Sequence, residues 1–361
     1  MQKNNFLLLT LTGLTITLLF IIGGLLLPNH FHQRRISLWL NPVQAQPLDE
    51  KNNVPEKTGG GDAPARDVLK TMSVQRKTDY ITIKQVKPEE ILVIQGDKKW
   101  NNPSEYYDRV QDVLDALEIP YTLVEREKVR DQDFQKIAAV ICNCVTGGVD
   151  KKGLVKIKDF VAQGGYFFST DWCLATVIPH VANGYIKTGV QGSQHINAES
   201  GPSEYTEEVS VQPFEKNKNH IFLRDVFPKA DAVYKWVLDD EFQTFKVVKP
   251  DDVTVLIVGD AAMLKKYKTN MIAACWTVDG KGGYNPLFSG YKGESSDYLV
   301  NRGGKGVMLY VASHFAMQNL GHNDLKGNSS MYQLIANFIL DAKLAKQFRE
   351  SQPANKDKKK K

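Results

Sequence analysis

The sequence is poor in cysteine, and its charges almost balance. It has four cysteines in 361 residues and a formal net charge of +5, to which a run of terminal lysines contributes. So few cysteines do not make a disulfide framework. The run Cys142-Asn143-Cys144 lacks the second ligand pair of a zinc motif. There is no stripe of basic residues with interleaved aromatic residues, so nucleic acid is not an expected partner.

One long hydrophobic run stands at the amino terminus. Residues 6–27 are apolar and uncharged, which is long enough to span a bilayer. A small-x-small pattern that would allow cleavage after Ala45 follows at some distance. We expect residues 1–45 to be a signal peptide or membrane anchor. The folded part would then be exported or membrane-anchored, outside the cytoplasm, with the membrane as one partner. The flanking charges do not decide the orientation.

The next segment has few large apolar side chains. Residues 46–75 are rich in Pro, Gly, Lys, Asp and Asn, which is typical of a flexible linker. We therefore predict that the folded domain covers residues 76–347. A basic tail over residues 348–361 is predicted to be disordered.

Within the domain, apolar strands alternate with helical patterns. Continuous apolar runs occur at 91–94, 121–124, 137–141 and 166–170, with amphipathic segments between them. Such alternation predicts a mostly parallel sheet with helices on both faces, an α/β fold of flavodoxin-like type. Later segments such as 233–238 alternate in polarity, which indicates some antiparallel strands in the C-terminal half.

Three features of the chain come in an order that resembles a known superfamily. They are Gly147-Gly148 after the third strand, the sharp strand-to-helix turn ending at Asp171, and a late strand that leads to His314. Over residues 88–345 the order resembles the class I glutamine amidotransferase-like superfamily, which includes trehalose-utilisation-type domains. In its glutaminases, these three places supply oxyanion-hole backbone, the nucleophilic cysteine and the general base.

The chain departs from the glutaminase pattern where the chemistry would occur. Asp171 stands at the nucleophile position, and its neighbours are Thr170 and Trp172 instead of glycines. The position two residues after His314 is Ala316 instead of an acidic residue. The resemblance therefore implies the fold without the catalytic triad, and we do not expect glutamine hydrolysis.

Asp171, His314 and Cys173 are the catalytic candidates. The first two follow strands at the carboxyl edge of the predicted sheet, where a carboxylate and an imidazole would serve as acid, base or ligand. Asp171 is equally suited to cap the helix that begins at Trp172. His314 is equally suited to a structural hydrogen bond. Cys173 is either a thiolate at a helix N-terminus or a packed thiol.

Binding candidates lie in the neighbouring turns and loops. Gly147 and Gly148, with Cys144, would line an anion-binding loop or simply form a turn. Trp172, and Tyr284 in the glycine-rich segment 279–305, would line a groove for a sugar or peptide, or would pack within their own loop.

No cofactor is expected, and no metal ligands are assigned. A metal site made of Asp171, His314 and one loop histidine is the alternative. The loop histidines are His195, His220 and His322.

Two functions follow from these observations. The favoured one is a binding or assembly module of the cell envelope without glutaminase activity, whose partner is an envelope protein or a carbohydrate. The alternative is a hydrolase or lyase that uses Asp171 and His314, with or without a metal, on a carbohydrate or peptide. If Asp171 and His314 come within hydrogen-bond reach in an open pocket, the enzyme is favoured. If Asp171 has a cap geometry and His314 is buried, the binding module is favoured.

Overall fold

The computed structural model describes residues 63–98, 106–189, 207–229, 231–238, 244–278, 306–315 and 325–351. The apolar run 6–27 and the segment 279–305, which contains Tyr284, lie outside these ranges. Predictions made for them stay predictions. No helix within the described ranges is both long and apolar enough to cross a membrane.

A nine-stranded sheet forms the centre of the fold, and two further strands form a separate sheet. The nine strands are β1 (Ile91–Ile94), β2 (Thr122–Val124), β3 (Ala139–Cys142), β4 (Tyr166–Thr170), β6 (Glu207–Pro213), β7 (Tyr234–Leu238), β9 (Val253–Gly259), β10 (Met271–Val278) and β11 (Gly306–Val311). The two-stranded sheet pairs β5 (Ile186–Thr188) with β8 (Phe245–Val247).

The large sheet is mostly parallel, as predicted. Its order is β2-β1-β3-β4-β11-β10-β9-β6-β7. The first five strands in this order pair in parallel, and the later pairs are antiparallel. Only β10 and β6 therefore run against the common direction of the other strands. The α/β, flavodoxin-like class and the antiparallel strands of the C-terminal half are confirmed.

The central strands are almost wholly apolar because both of their faces are covered; Ser169 and Thr170 at the end of β4 are buried polar residues. Every residue of β1, β3, β4 and β11 is buried. Strands covered on both sides have no solvent-exposed face that would carry polar residues. The start of β11 also requires glycine, since a side chain at Gly306 would meet the backbone oxygen of Val161.

Helices cover both faces of the sheet. They are α1 (Ala63–Gln75), α2 (Lys77–Lys84), α3 (Val110–Ala116), α4 (Lys151–Ala162), α5 (Cys173–Thr176), α6 (Ile178–Val181), α7 (Ala261–Tyr267) and α8 (Leu325–Ser351). The Asp150 carboxylate accepts a hydrogen bond from the Gly153 N–H at 2.7 Å and caps α4. An aspartate at this position accepts from a backbone N–H that has no partner within the helix.

The long helix α8 packs on the sheet through aromatic rings. Phe338 contacts Tyr166 and Phe168 of β4, with ring centroids 5.7 and 5.8 Å apart. The Tyr166 hydroxyl donates to Asp341 of the same helix at 2.7 Å. Helix α4 packs against β4 and β11. The strand that leads to Asp171 therefore packs against two helices, α8 and α4.

Two predicted boundaries differ from the structure. The expected linker 46–75 overlaps α1, so ordered structure begins earlier than residue 76. Ala65, Val68 and Met72 are buried at helical spacing within α1, a pattern that the polar composition of the whole segment obscures. The expected disordered tail starts too early, because α8 continues to Ser351.

A buried ion pair joins the beginning of β1 to α8. The Lys343 Nζ lies 2.5 and 2.8 Å from the two carboxylate oxygens of Glu90, and the Lys346 Nζ lies 3.3 Å from one of them. The side chains of Lys343 and Glu90 are 8% and 6% exposed. Burial acts to raise the pKa of Glu90, but hydrogen bonds from Lys343 and from the Lys87 N–H outweigh it and hold that pKa below its ordinary value.

We expect Lys343→Met to lower the free energy of unfolding at neutral pH by about 3 kcal/mol, the low end for unpairing a buried charge, because Lys346 stays beside Glu90. Since the pKa of Glu90 is lowered on folding, this contribution is present above the ordinary carboxyl pKa and is lost as pH falls below it. Urea unfolding of the full chain at neutral and acidic pH measures the change.

The matched control is Lys218→Met, which removes an exposed pair with Glu215. Its cost should stay below about 1 kcal/mol. Equal losses in the two variants would show that the Glu90 pair contributes no more than a surface contact.

Candidate active site

Asp171 lies at a strained corner directly after β4. Its φ is +38°, in the left-handed region that residues other than glycine rarely occupy. The Asp171 N–H donates to the Val311 carbonyl at 3.0 Å, and the Asp171 carbonyl accepts from the Tyr310 hydroxyl at 3.1 Å. Strand β11 therefore holds the corner through both the N–H and the carbonyl of Asp171. The sharp turn that the sequence predicts is present.

The Asp171 side chain points to other ionisable groups. Its Oδ2 lies 3.1 Å from the His314 Nε2 and 3.5 Å from the Cys144 Sγ. Helix α5 begins after Trp172, which is its N-cap residue. The chain forms two short helices here, α5 and α6, and the capping role of the Asp171 side chain stays a prediction.

His314 is brought to Asp171 by the pairing of β11 with β4. These strands are parallel, and Val311 is in register with Thr170, so the residues that follow them meet at one edge. The neighbours of His314 fix its backbone: the Ser313 hydroxyl donates to the Val237 carbonyl, and the Phe315 N–H donates to Asp108. The His314 and Asp171 side chains are 3% and 0% exposed. They come close to each other, but in a closed site and not in the open pocket that would favour the enzyme.

Cys144 completes the cluster from the end of β3. Burial raises the pKa of its thiol most, the negative charge of Asp171 raises it further, and His314 acts in the opposite direction. The net shift is upward, so Cys144 is a neutral thiol near neutral pH. Among the described residues, Cys144, Asp171 and His314 are the group of three ligand-type side chains whose donor atoms converge, all within 4.8 Å of one another.

Tyr310 borders the same corner. Burial raises the pKa of its phenol well above the usual range, and the Asp171 charge adds to the effect. The hydroxyl therefore stays protonated and remains a hydrogen-bond donor to the Asp171 carbonyl.

Asp108, which no sequence signal identified, accepts hydrogen bonds from residues at the ends of three strands. This carboxylate is fully buried. It accepts hydrogen bonds from the Thr170 hydroxyl at 2.5 Å, the Phe315 N–H at 2.8 Å and the Cys144 N–H at 3.4 Å. Each donor is next to, or part of, the cluster. The sequence shows only an aspartate before an apolar helical pattern, and nothing local identifies its distant partners.

Cys173 does not belong to the cluster. Its Sγ lies 3.5 Å from the Cys142 Sγ and 3.3 Å from the Asn143 carbonyl oxygen. Burial, and then the hydrogen bond with Cys142, raise the pKa of the Cys173 thiol well above its ordinary value. Cys173 is therefore a packed thiol and not a thiolate at the helix N-terminus. Trp172 is half-buried, and its backbone carbonyl accepts hydrogen bonds in the turn that follows.

The glycine pair forms a turn on the way to α4. Gly148 has a φ of +66° and donates to the Val145 carbonyl at 3.4 Å. A side chain at Gly147 would meet the Arg126 guanidinium. The role of these glycines in binding stays a prediction.

The loop histidines give no third ligand within the described ranges. His220 Nε2 lies 3.6 Å from the Cys275 Sγ, and its Nδ1 accepts from the Phe222 N–H at 3.2 Å. It is therefore part of a different contact. His195, His322 and Tyr284 fall outside those ranges.

No family model matches this chain, and no curated protein matches it. Solved structures that resemble it include a putative ThuA-like protein from Bacteroides uniformis, at 11% identity over 71% of this chain and 91% of that chain, with a TM-score of 0.40. A beta-galactosidase from Rahnella sp. R3 resembles it at 15% identity over 70% of this chain, with a TM-score of 0.37. Gan42B, a GH42 beta-galactosidase from G. stearothermophilus, gives 13% identity over 63% of this chain and a TM-score of 0.35.

This chain spans 31% of the Rahnella enzyme and 27% of Gan42B. At these identities the likeness concerns the fold alone and gives no information on activity.

Proposed function

We propose that this chain is a hydrolase whose reactive centre is the Asp171–His314 pair, with Cys144 beside it. The observation that carries the proposal is the 3.1 Å contact between the Asp171 carboxylate and the His314 imidazole at the carboxyl edge of the sheet. A carboxylate that orients an imidazole is a recurrent arrangement for general acid and base catalysis. The carboxyl edge is also where open α/β sheets bind their ligands.

The physical cost of the cluster supports a chemical role. A positive φ at a residue other than glycine costs of the order of 1–3 kcal/mol. Buried ionisable groups are commonly less favourable than apolar residues of the same size. Asp171 combines both features, with a φ of +38° and a fully buried side chain. Strained backbone of this kind concentrates at active sites.

The contact also assigns a role to each nitrogen of His314. Nε2 lies 3.1 Å from the Asp171 carboxylate and would carry the proton of the neutral ring once the imidazole turns to donate to that carboxylate. Nδ1 would then be the atom that takes a proton from an attacking water. Asp171 would hold this tautomer and stabilise the imidazolium that forms. Glutamine hydrolysis is not proposed, because Asp171 and not a cysteine stands at the sharp strand-to-helix turn.

A carbohydrate or peptide of the cell envelope is the substrate class that we propose. It rests on the apolar run 6–27, which predicts an exported or anchored chain.

The second candidate is the binding or assembly module of the envelope. The observation that favours it is burial: the Asp171 and His314 side chains are almost completely inaccessible. In this case the cluster would be a structural element of the corner, and a partner would bind elsewhere on the domain.

We expect His314→Gln and Asp171→Asn each to lower hydrolysis by at least about 100-fold, since each removes half of the acid–base pair. The assay measures release of nitrophenol or nitroaniline from a panel of ester, glycoside and amide substrates by the full chain. His220→Gln is the matched control, because His220 also lies beside a cysteine but outside the cluster. Its rate should equal that of the unsubstituted chain. Equal rates for all four proteins on the whole panel would reject the hydrolase and favour the binding module.

We expect Cys144 and Cys173 to be alkylated slowly by iodoacetamide in the native chain near neutral pH. Burial raises both thiol pKa values, so little thiolate is present. In urea the two cysteines should react as rapidly as ordinary thiols. Mass spectrometry of the digested chain reports each site. Fast native labelling of Cys144 would contradict the neutral thiol and would instead indicate a thiolate nucleophile.

A further inference from the structure

We infer that Cys144, Asp171 and His314 form a three-ligand site for a divalent transition-metal ion of the zinc type. The inference deepens the proposed function and rests on it only for the use of the ion in hydrolysis. With an ion bound, the His314 Nε2 would hold it through its lone pair and the ring proton would lie on Nδ1, so a metal-held water would take the place of the acid–base pair. It differs from the metal site that sequence analysis considered, because the third ligand is a strand-end cysteine instead of a loop histidine.

The distances between the donor atoms fit such an ion. Tetrahedral geometry with ordinary zinc bond lengths separates sulfur from oxygen by about 3.6 Å and nitrogen from oxygen by about 3.4 Å. Here the Cys144 Sγ lies 3.5 Å from the Asp171 Oδ2, and the His314 Nε2 lies 3.1 Å from the same oxygen. All three donor atoms lie within 4.8 Å of one another.

The chemistry of the donors selects the class of metal. Thiolate and imidazole bind borderline and soft ions such as Zn²⁺ and Co²⁺, whereas Mg²⁺ and Ca²⁺ prefer oxygen ligands. Cys144 and Asp171 would carry two negative charges when ligated, which a divalent ion neutralises. Such charges would be costly at this depth without a cation. Metal binding would release the Cys144 proton to solvent.

The ligands are held by an outer layer of hydrogen bonds. The Tyr310 hydroxyl donates to the Asp171 carbonyl, and Asp108 accepts from the Cys144 N–H and the Phe315 N–H. These contacts fix the backbone from which the three ligand side chains project. The three ligands come from the ends of β3, β4 and β11, which are rigid neighbours in the sheet. The fourth position would take water, as in catalytic zinc sites.

The test is a Co²⁺ titration of the metal-free, reduced full chain, followed by absorption spectroscopy. We expect one Co²⁺ per chain at this site, with the thiolate-to-cobalt charge-transfer band of a single cysteine ligand. Cys144→Ser should abolish that band. His314→Gln should weaken Co²⁺ binding by more than the about 10–100-fold that loss of an outer-shell partner costs.

Cys173→Ser is the matched control, because Cys173 is an equally buried thiol whose contacts lie outside the ligand set. It should keep the band and the affinity. If a ligand variant does not fold, the unsubstituted chain still decides: Zn²⁺ should raise its Tm and release about one proton. No charge-transfer band, or a band that persists in folded Cys144→Ser, would overturn the inference.

The two proposals fail separately. Loss of hydrolysis in His314→Gln without any Co²⁺ binding would reject the metal and keep the hydrolase. Co²⁺ binding through Cys144 without turnover on the substrate panel would keep the metal site and reject the hydrolase.

Discussion

The parallel pairing of β11 with β4 is the constraint on which the candidate site depends. Val311 lies in register with Thr170, so the chain leaves both strands at the same edge and in the same direction. Asp171 donates its N–H to Val311 and accepts from Tyr310, so one strand positions the corner of the other. A shift of register between the two strands would separate the imidazole from the carboxylate.

Burial explains why this arrangement needs a second carboxylate. Asp108 binds the Thr170 hydroxyl and the N–H groups of Cys144 and Phe315, which are one residue from, or within, the cluster. A buried carboxylate is stable only when its oxygens accept hydrogen bonds. The hydrogen bonds that satisfy the Asp108 carboxylate therefore also fix the backbone beside three reactive side chains. The same contacts serve stability and positioning.

Much of the fold could be predicted from the sequence because parallel strands read as continuous apolar runs. The meeting of Asp171 and His314 followed from their places after two such strands. The role of Asp108 could not be predicted, because its hydrogen-bond donors Cys144, Thr170 and Phe315 lie far along the chain. Cys144 was assigned to a loop because the direction of a side chain after a strand depends on the local backbone, which composition does not specify.

The position of β11 also has a consequence for how the chain acquires its structure. This strand lies between β4 and β10 in the sheet but comes after both in the sequence. During synthesis, the edges of β4 and β10 that face β11 would have no partner until residues 306–311 emerge from the ribosome. Contacts between distant parts of a chain form slowly because the loop between them must first close. The centre of the sheet would thus form last, and the corner at Asp171 would form with it.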